Sequence, residues 1–119
     1  MALPNLKSPT AIYGKTARYA VTASLATALA APGTGKTFKI NSIFCANVAN
    51  PDAVVDISVS IYDGTTDYYI ARTIAVPADA TQILSTKETY FYLEEGDSLR
   101  ATANAVSGVV LVVGYEEIS

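Results

Sequence analysis

Residues 31 to 48 read APGTGKTFKINSIFCANV, and two folds compete for that stretch. Its first half nearly matches the pattern G-x-x-x-x-G-K-[ST]. In that loop backbone N–H groups cradle phosphate, the lysine reaches the outer phosphates and the hydroxyl ligates Mg²⁺. Gly35, Lys36 and Thr37 supply the end of the pattern. The first glycine would stand at position 30, which is alanine, and a Cβ there disfavours positive φ. Such a loop must also open a helix. Beyond Thr37, however, Phe38, Ile40, Phe44 and Val48 sit mostly two apart among β-branched and aromatic residues, which is strand spacing. The stretch therefore reads as a Pro-Gly-Thr-Gly turn between two strands.

The same rhythm continues on both sides. Downstream, AVVDISVSIYD (53–63) puts Val55, Ile57, Val59 and Ile61 on one face and Asp56, Ser58 and Ser60 on the other, a half-buried strand with a solvent side. Asn50-Pro51-Asp52 and Asp63-Gly64 are turn signals, and the second implies a hairpin. YYIARTIAV (68–76) predicts a strand with Tyr68, Ile70 and Ile74 on one face and Arg72 sharing their parity. Thr81 to Ser85 and Tyr90 to Leu93 read as short strands. Glu94-Glu95-Gly96-Asp97 is a polar turn. SLRATANA (98–105) alternates with Leu99, Ala101 and Ala103 inward, and Ser107-Gly108 turns the chain into a last strand, VVLVVGYEEI.

Upstream, KTARYAVTASLATALAA (15–31) could be helical by composition. Ala17, Tyr19 and Val21 alternate, however, and Thr16, Thr22, Ser24 and Thr27 compete for helical backbone bonds, so two short strands are expected. MALPNLKSPT (1–10) carries Pro4 and Pro9, which fix φ and donate no hydrogen bond. It reads as an extended arm over residues 1–10 preceding one domain, 11–119. Eight or nine short strands spaced near ten residues indicate an all-β, antiparallel β-sandwich. Pattern alone leaves jelly-roll and immunoglobulin-like topologies open. The absence of Cys…Trp…Cys spacing excludes only the disulfide-pinned immunoglobulin form.

Composition narrows the chemistry. The chain has 119 residues, no His, one Cys and a formal charge of −3. Without His there is no Ser-His-Asp triad, and one Cys gives zinc almost nothing to hold. Cys45 lies in an apolar strand and reads as a buried thiol. The acidic residues Asp63, Asp67, Glu94, Glu95 and Asp97 lack calcium-loop spacing and read as hydrated turns. Basic residues are scattered, so no nucleic-acid footprint shows. The longest apolar runs are too short to span a bilayer as a helix. No cofactor and no small-molecule substrate is expected, and the protein reads as non-enzymatic. Its eight tyrosines suit protein interfaces. The residues singled out for contact are Leu3, Pro4 and Leu6 on the arm, with Tyr68 and Tyr92 on strands.

Four ordered stretches carry a resemblance: GKTFKINSIFCANV (35–48), VPADAT (76–81), YFYLEEGDSLRATANA (90–105) and VVLVVGYEEIS (109–119). Together they resemble small virion proteins of tailed bacteriophages, particularly marine and cyanobacterial ones. The matching residues are Lys36 to Ser42, Val76 to Ala78, Leu93 to Leu99 and Tyr115 to Ile118. The resemblance implies a β-sandwich that assembles into a particle. Its first form is a head decoration or cement protein on the capsid surface, made in the host cytoplasm. The partners would be the major capsid protein and copies of itself, with three the favoured number. Its second form is a neck, tail or baseplate component. A carbohydrate- or receptor-binding sandwich on a fibre is the reading from another class.

Overall fold

The computed structural model describes residues 3–48, 54–104 and 108–119. Within them lie nine strands. They are β1 (Ile12–Val21), β2 (Ala26–Leu29), β3 (Thr37–Asn47), β4 (Val55–Tyr62), β5 (Asp67–Val76), β6 (Thr81–Ser85), β7 (Phe91–Leu93), β8 (Ser98–Ala103) and β9 (Val109–Ile118). A 3-10 turn, Lys87–Thr89, separates β6 from β7. The 15–31 stretch does form strands, although β1 begins earlier, at Ile12.

One antiparallel sheet runs β1-β9-β3-β6, with β7 also on β3; the other runs β2-β8-β4-β5. First pairs with last, second with eighth, third with sixth and seventh, fourth with fifth. That is a long hairpin folded over itself, the jelly-roll arrangement. It decides between the two topologies that pattern left open.

The core lies between the sheets. Phe38, Ile40, Ile43 and Cys45 from β3 and Val109, Leu111 and Val113 from β9 face Val55, Ile57 and Val59 from β4 and Leu99 and Ala101 from β8. Each large aliphatic side chain buried there contributes roughly 1.5–3 kcal/mol. Leu99, Ala101 and Ala103 point inward as the alternation required.

Three parity expectations fail, and each has a local cause. In β3, Ile40 opposes Tyr115 but Ser42 opposes Gly114, so Asn41 is an extra residue. This bulge reverses the faces beyond it. Ile43 and Cys45 go inside, while Phe44 and Val48 turn outward and stay exposed. In β5 two register shifts do the same, and Thr73 takes a positive φ of 49°. Tyr68 and Ile70 end exposed, whereas Ile74 packs on the core. On β4, Ser58 and Ser60 are buried rather than solvated. Ser60 donates its hydroxyl to Asp67 Oδ1 at 2.9 Å, and Ser58 Oγ accepts the Thr73 N–H at 2.9 Å. The Asn50-Pro51-Asp52 turn and Ser107 lie outside the described residues.

Two predictions come from this core. Gly114 sits beside Ser42, whose Oγ would lie 2.8 Å from a Cβ placed there. Gly114→Ala should destabilise by about 1–2 kcal/mol, and Ser42→Ala should recover most of that loss in the double variant, read by denaturant melts. Equal losses in both backgrounds would show that the contact is not the cause. Burial pushes the Cys45 thiol up to about 12 from 9.0. The folded state therefore holds its proton where the unfolded chain releases it. The thiol's contribution is intact below pH 9 and is lost as pH rises toward 12. Cys45→Ala should flatten the decline in stability over that window.

Candidate interaction surface

The arm reaches the sandwich through the closing strand pair. Ala11 and Ser119 exchange backbone hydrogen bonds (Ala11 N–H to Ser119 O, 3.3 Å; Ser119 N–H to Ala11 O, 2.9 Å), and the Thr10 N–H also donates to Ser119 O at 2.6 Å. Before that point Asn5 makes an Asx turn: its Oδ1 accepts the Lys7 N–H at 3.0 Å and its carbonyl the Ser8 N–H at 3.1 Å. Leu3, Pro4 and Leu6 lie beside the start of β3 and beside β7.

There Leu3, Pro4 and Leu6 meet Thr37, Phe91, Tyr92 and Glu94 around a groove of about 430 Å³. Leu3 and Leu6 remain about half exposed. Tyr92 packs edge-on against Tyr90, with ring centroids 5.8 Å apart, and Lys39 Nζ lies 4.4 Å from the Tyr90 centroid. Four of the five contact residues expected from sequence thus converge on one groove. Tyr68 does not. It stands exposed on β5 in the other sheet, beside Tyr69, whose ring is covered by Arg72 at 4.9 Å.

Sequence reasoning missed a second feature. On the outer face of the first sheet Phe44 opposes both Val112 and Ile83, and Ala46 opposes Val110. Phe44 and Ile83 are exposed and the two valines half-buried. The signal was present: VVLVV in β9 is apolar at both parities, as in a strand covered on two faces.

The Gly35-Lys36-Thr37 stretch has other work. Gly35, at φ 75°, gives its N–H to Glu95 Oε1 at 2.9 Å. Lys36 Nζ lies 3.6 Å from Glu117 Oε1, and Lys15 Nζ sits 3.3 Å from the other oxygen of that carboxylate. The buried Thr37 hydroxyl donates to Leu93 O at 2.8 Å. These contacts tie the turn to β7, to the turn after it and to β9, and the turn opens a strand instead of a helix. The acidic residues are likewise occupied locally. Asp63 accepts the Thr66 and Thr65 N–H groups, which hold its carboxyl below the usual range. Asp67 accepts from Ser60 and lies 3.4 Å from Arg100 Nε. Among the described residues no three acidic, Cys or His side chains converge as a metal site, and no helix is long and apolar enough to cross a membrane.

No family model matches the chain, and no curated protein sequence matches it significantly. Solved structures are similar to it to different degrees. A chain of the acidic stable capsid structure of Helicobacter pylori bacteriophage KHP30 is similar with a TM-score of 0.59 at 17% identity, over 94% of this chain and 90% of that one. A pentameric capsid protein isolated from metagenomic phage sequences is more distant: TM-score 0.40, 19% identity, 85% of this chain and 59% of that one. The Drosophila NLP-core aligns with a TM-score of 0.47 and 19% identity, over 88% and 96%.

With its amide, ammonium and hydroxyl engaged, the Gly35–Thr37 turn should not hold a nucleotide. Mg²⁺-ATP should leave the thermal midpoint unchanged. A rise that Lys36→Ala abolishes would contradict this.

Proposed function

We propose that this protein is a non-enzymatic structural component of a phage virion, and most specifically a head decoration or cement protein. The observation that carries the reading is the jelly roll's end-to-end likeness to a chain of a phage capsid structure, spanning nine-tenths or more of both chains. The ordered motifs from Lys36 to Ile118 point the same way independently of the fold. The protein would be made in the host cytoplasm and reside on the capsid surface, bridging subunits of the major capsid protein. Cyanophage or marine phage origin belongs to this proposal. So do the neck, tail or baseplate as alternative stations in the same particle.

Residues 1–10 are the proposed attachment arm, and 11–119 the domain that carries it. Leu3, Pro4 and Leu6 lie over Tyr92 with much of their apolar surface still open. Covering that surface with a capsid subunit would bury both Leu side chains, a gain of roughly 0.8–1.5 kcal/mol each from the half that remains exposed. Tyr68, on the opposite sheet, would be a separate contact point. Fibre-type sugar binding has less support: Tyr68 and Tyr92 lie on different sheets and do not form one stacking platform.

The test is co-sedimentation with capsids stripped of this protein. The full chain should pellet with them, and a chain lacking residues 2–9 should keep its fold by circular dichroism yet bind at least tenfold more weakly. Unfolding of the truncated chain would contradict the arm as a separate element. Undiminished binding would remove its role in attachment.

A further inference from the structure

Exposed strand edges invite pairing, and folded proteins obstruct them with bulges, short strands or interruptions. Three of the four edges here are obstructed. β5 carries two register shifts and the positive-φ Thr73. β2 has four residues. The edge beyond β3 is broken into β6 and β7 by the 3-10 turn. β1 differs. It holds ten residues in unbroken register with β9, without proline, and among the described residues its free side has no strand partner. Leu3, Pro4 and Leu6 lie elsewhere, lining the groove with Thr37 of β3 and Tyr92 of β7.

The β1–β9 register determines which backbone groups are free. Ala11 and Ser119 exchange both bonds, so the hydrogen-bonded pairs fall on odd-numbered residues of β1. The N–H and C=O groups of Ile12, Gly14, Thr16, Arg18 and Ala20 therefore point to the open side. A second copy related by a two-fold axis can align even with even residues about Lys15, Thr16, Ala17 or Arg18. Centring on Lys15 or Arg18 sets like charges directly opposite each other, which destabilises. Centring on Ala17 leaves Ile12 opposite no strand residue. Centring on Thr16 sets Thr16 opposite itself, Tyr13 opposite Tyr19, Ile12 opposite Ala20, Lys15 opposite Ala17 and Arg18 opposite Gly14. Hydroxyl and aromatic cross-strand pairs are favourable ones, and no like charges meet. The five outward-facing pairs would make two bonds each, and about ten hydrogen bonds is what a typical protein interface carries.

We propose that β1 pairs with β1 of a second copy, antiparallel about Thr16. The first sheets of the two copies then form one continuous sheet, β6-β3-β9-β1 and onward through the same strands in reverse order. The contact is isologous and closes at two copies, so it does not build the three-fold assembly favoured from sequence. It holds whether or not the protein resides on a virion.

The experiment is light scattering on the purified full chain at micromolar concentration, with edge variants. Wild type should weigh two chains of 12.5 kDa. Thr16→Pro removes only an outward-facing N–H, which edge strands tolerate, and should give a folded monomer. Thr16→Lys sets like charges together on the axis and should do the same, which keeps the test valid if the proline variant fails to fold. On oxidation Thr16→Cys should cross-link into a dimer, since hydrogen-bonded antiparallel partners lie about 5.5 Å apart at Cα, within disulfide reach. Arg18→Cys should not cross-link, and Cys45 is buried. A monomeric or trimeric wild type would overturn the proposal, as would a dimer that Thr16→Lys leaves intact or a Thr16→Cys chain that stays unlinked.

Discussion

The last strand holds the fold together. Each of the ten residues of β9 has a partner on β1 on one side, and its other side is paired along its length with β3. Its inward residues Val109, Leu111 and Val113 are almost wholly buried. Until this strand is in place, β1 has no neighbour in its sheet and the arm has no Ser119 carbonyl to anchor it. Pairing between the two ends of a chain is also the most costly closure in loop entropy. The sandwich is therefore expected to complete late and cooperatively, once β9 is available.

Many of the polar side chains among the described residues are engaged in holding this arrangement together. Polar groups that could have served a site are used to pin turns and strands. Glu95 holds the Gly35 amide, Glu117 lies between Lys15 and Lys36, and Ser58 accepts the amide of the strained Thr73. Left over are apolar surfaces and one regular edge. The half-open arm groove, the Phe44, Ile83 and Val112 patch and the free side of β1 all belong to the first sheet. Under the proposed function that sheet carries most of the contact surface, and the second sheet adds the exposed Tyr68 on β5.

Sequence made the β architecture legible because alternation is strong where strands are regular, as in β8. It located the Gly35, Gly64 and Gly96 turns, where positive φ favours glycine. It misplaced side chains beyond each bulge. A bulge is one added residue, such as Asn41, with nothing in its composition to mark it, and every later side chain changes face. The groove was partly legible. Leu3, Pro4 and Leu6 read as part of an arm and Tyr92 stands in a tyrosine-rich stretch, but their meeting depends on β7 pairing with β3. The β1 edge was invisible from sequence, since an edge is defined only by what fails to pair with it.

Under the proposed function this jelly roll is a structural part of a phage particle, on the head. The most direct measurement is its copy number in purified particles, by quantitative staining against the major capsid protein. A head protein at capsid symmetry sites should give a ratio near one-to-one or a simple fraction of it. A few tens of copies or fewer would move the protein to the neck, tail or baseplate, and its absence from particles would contradict the virion role outright.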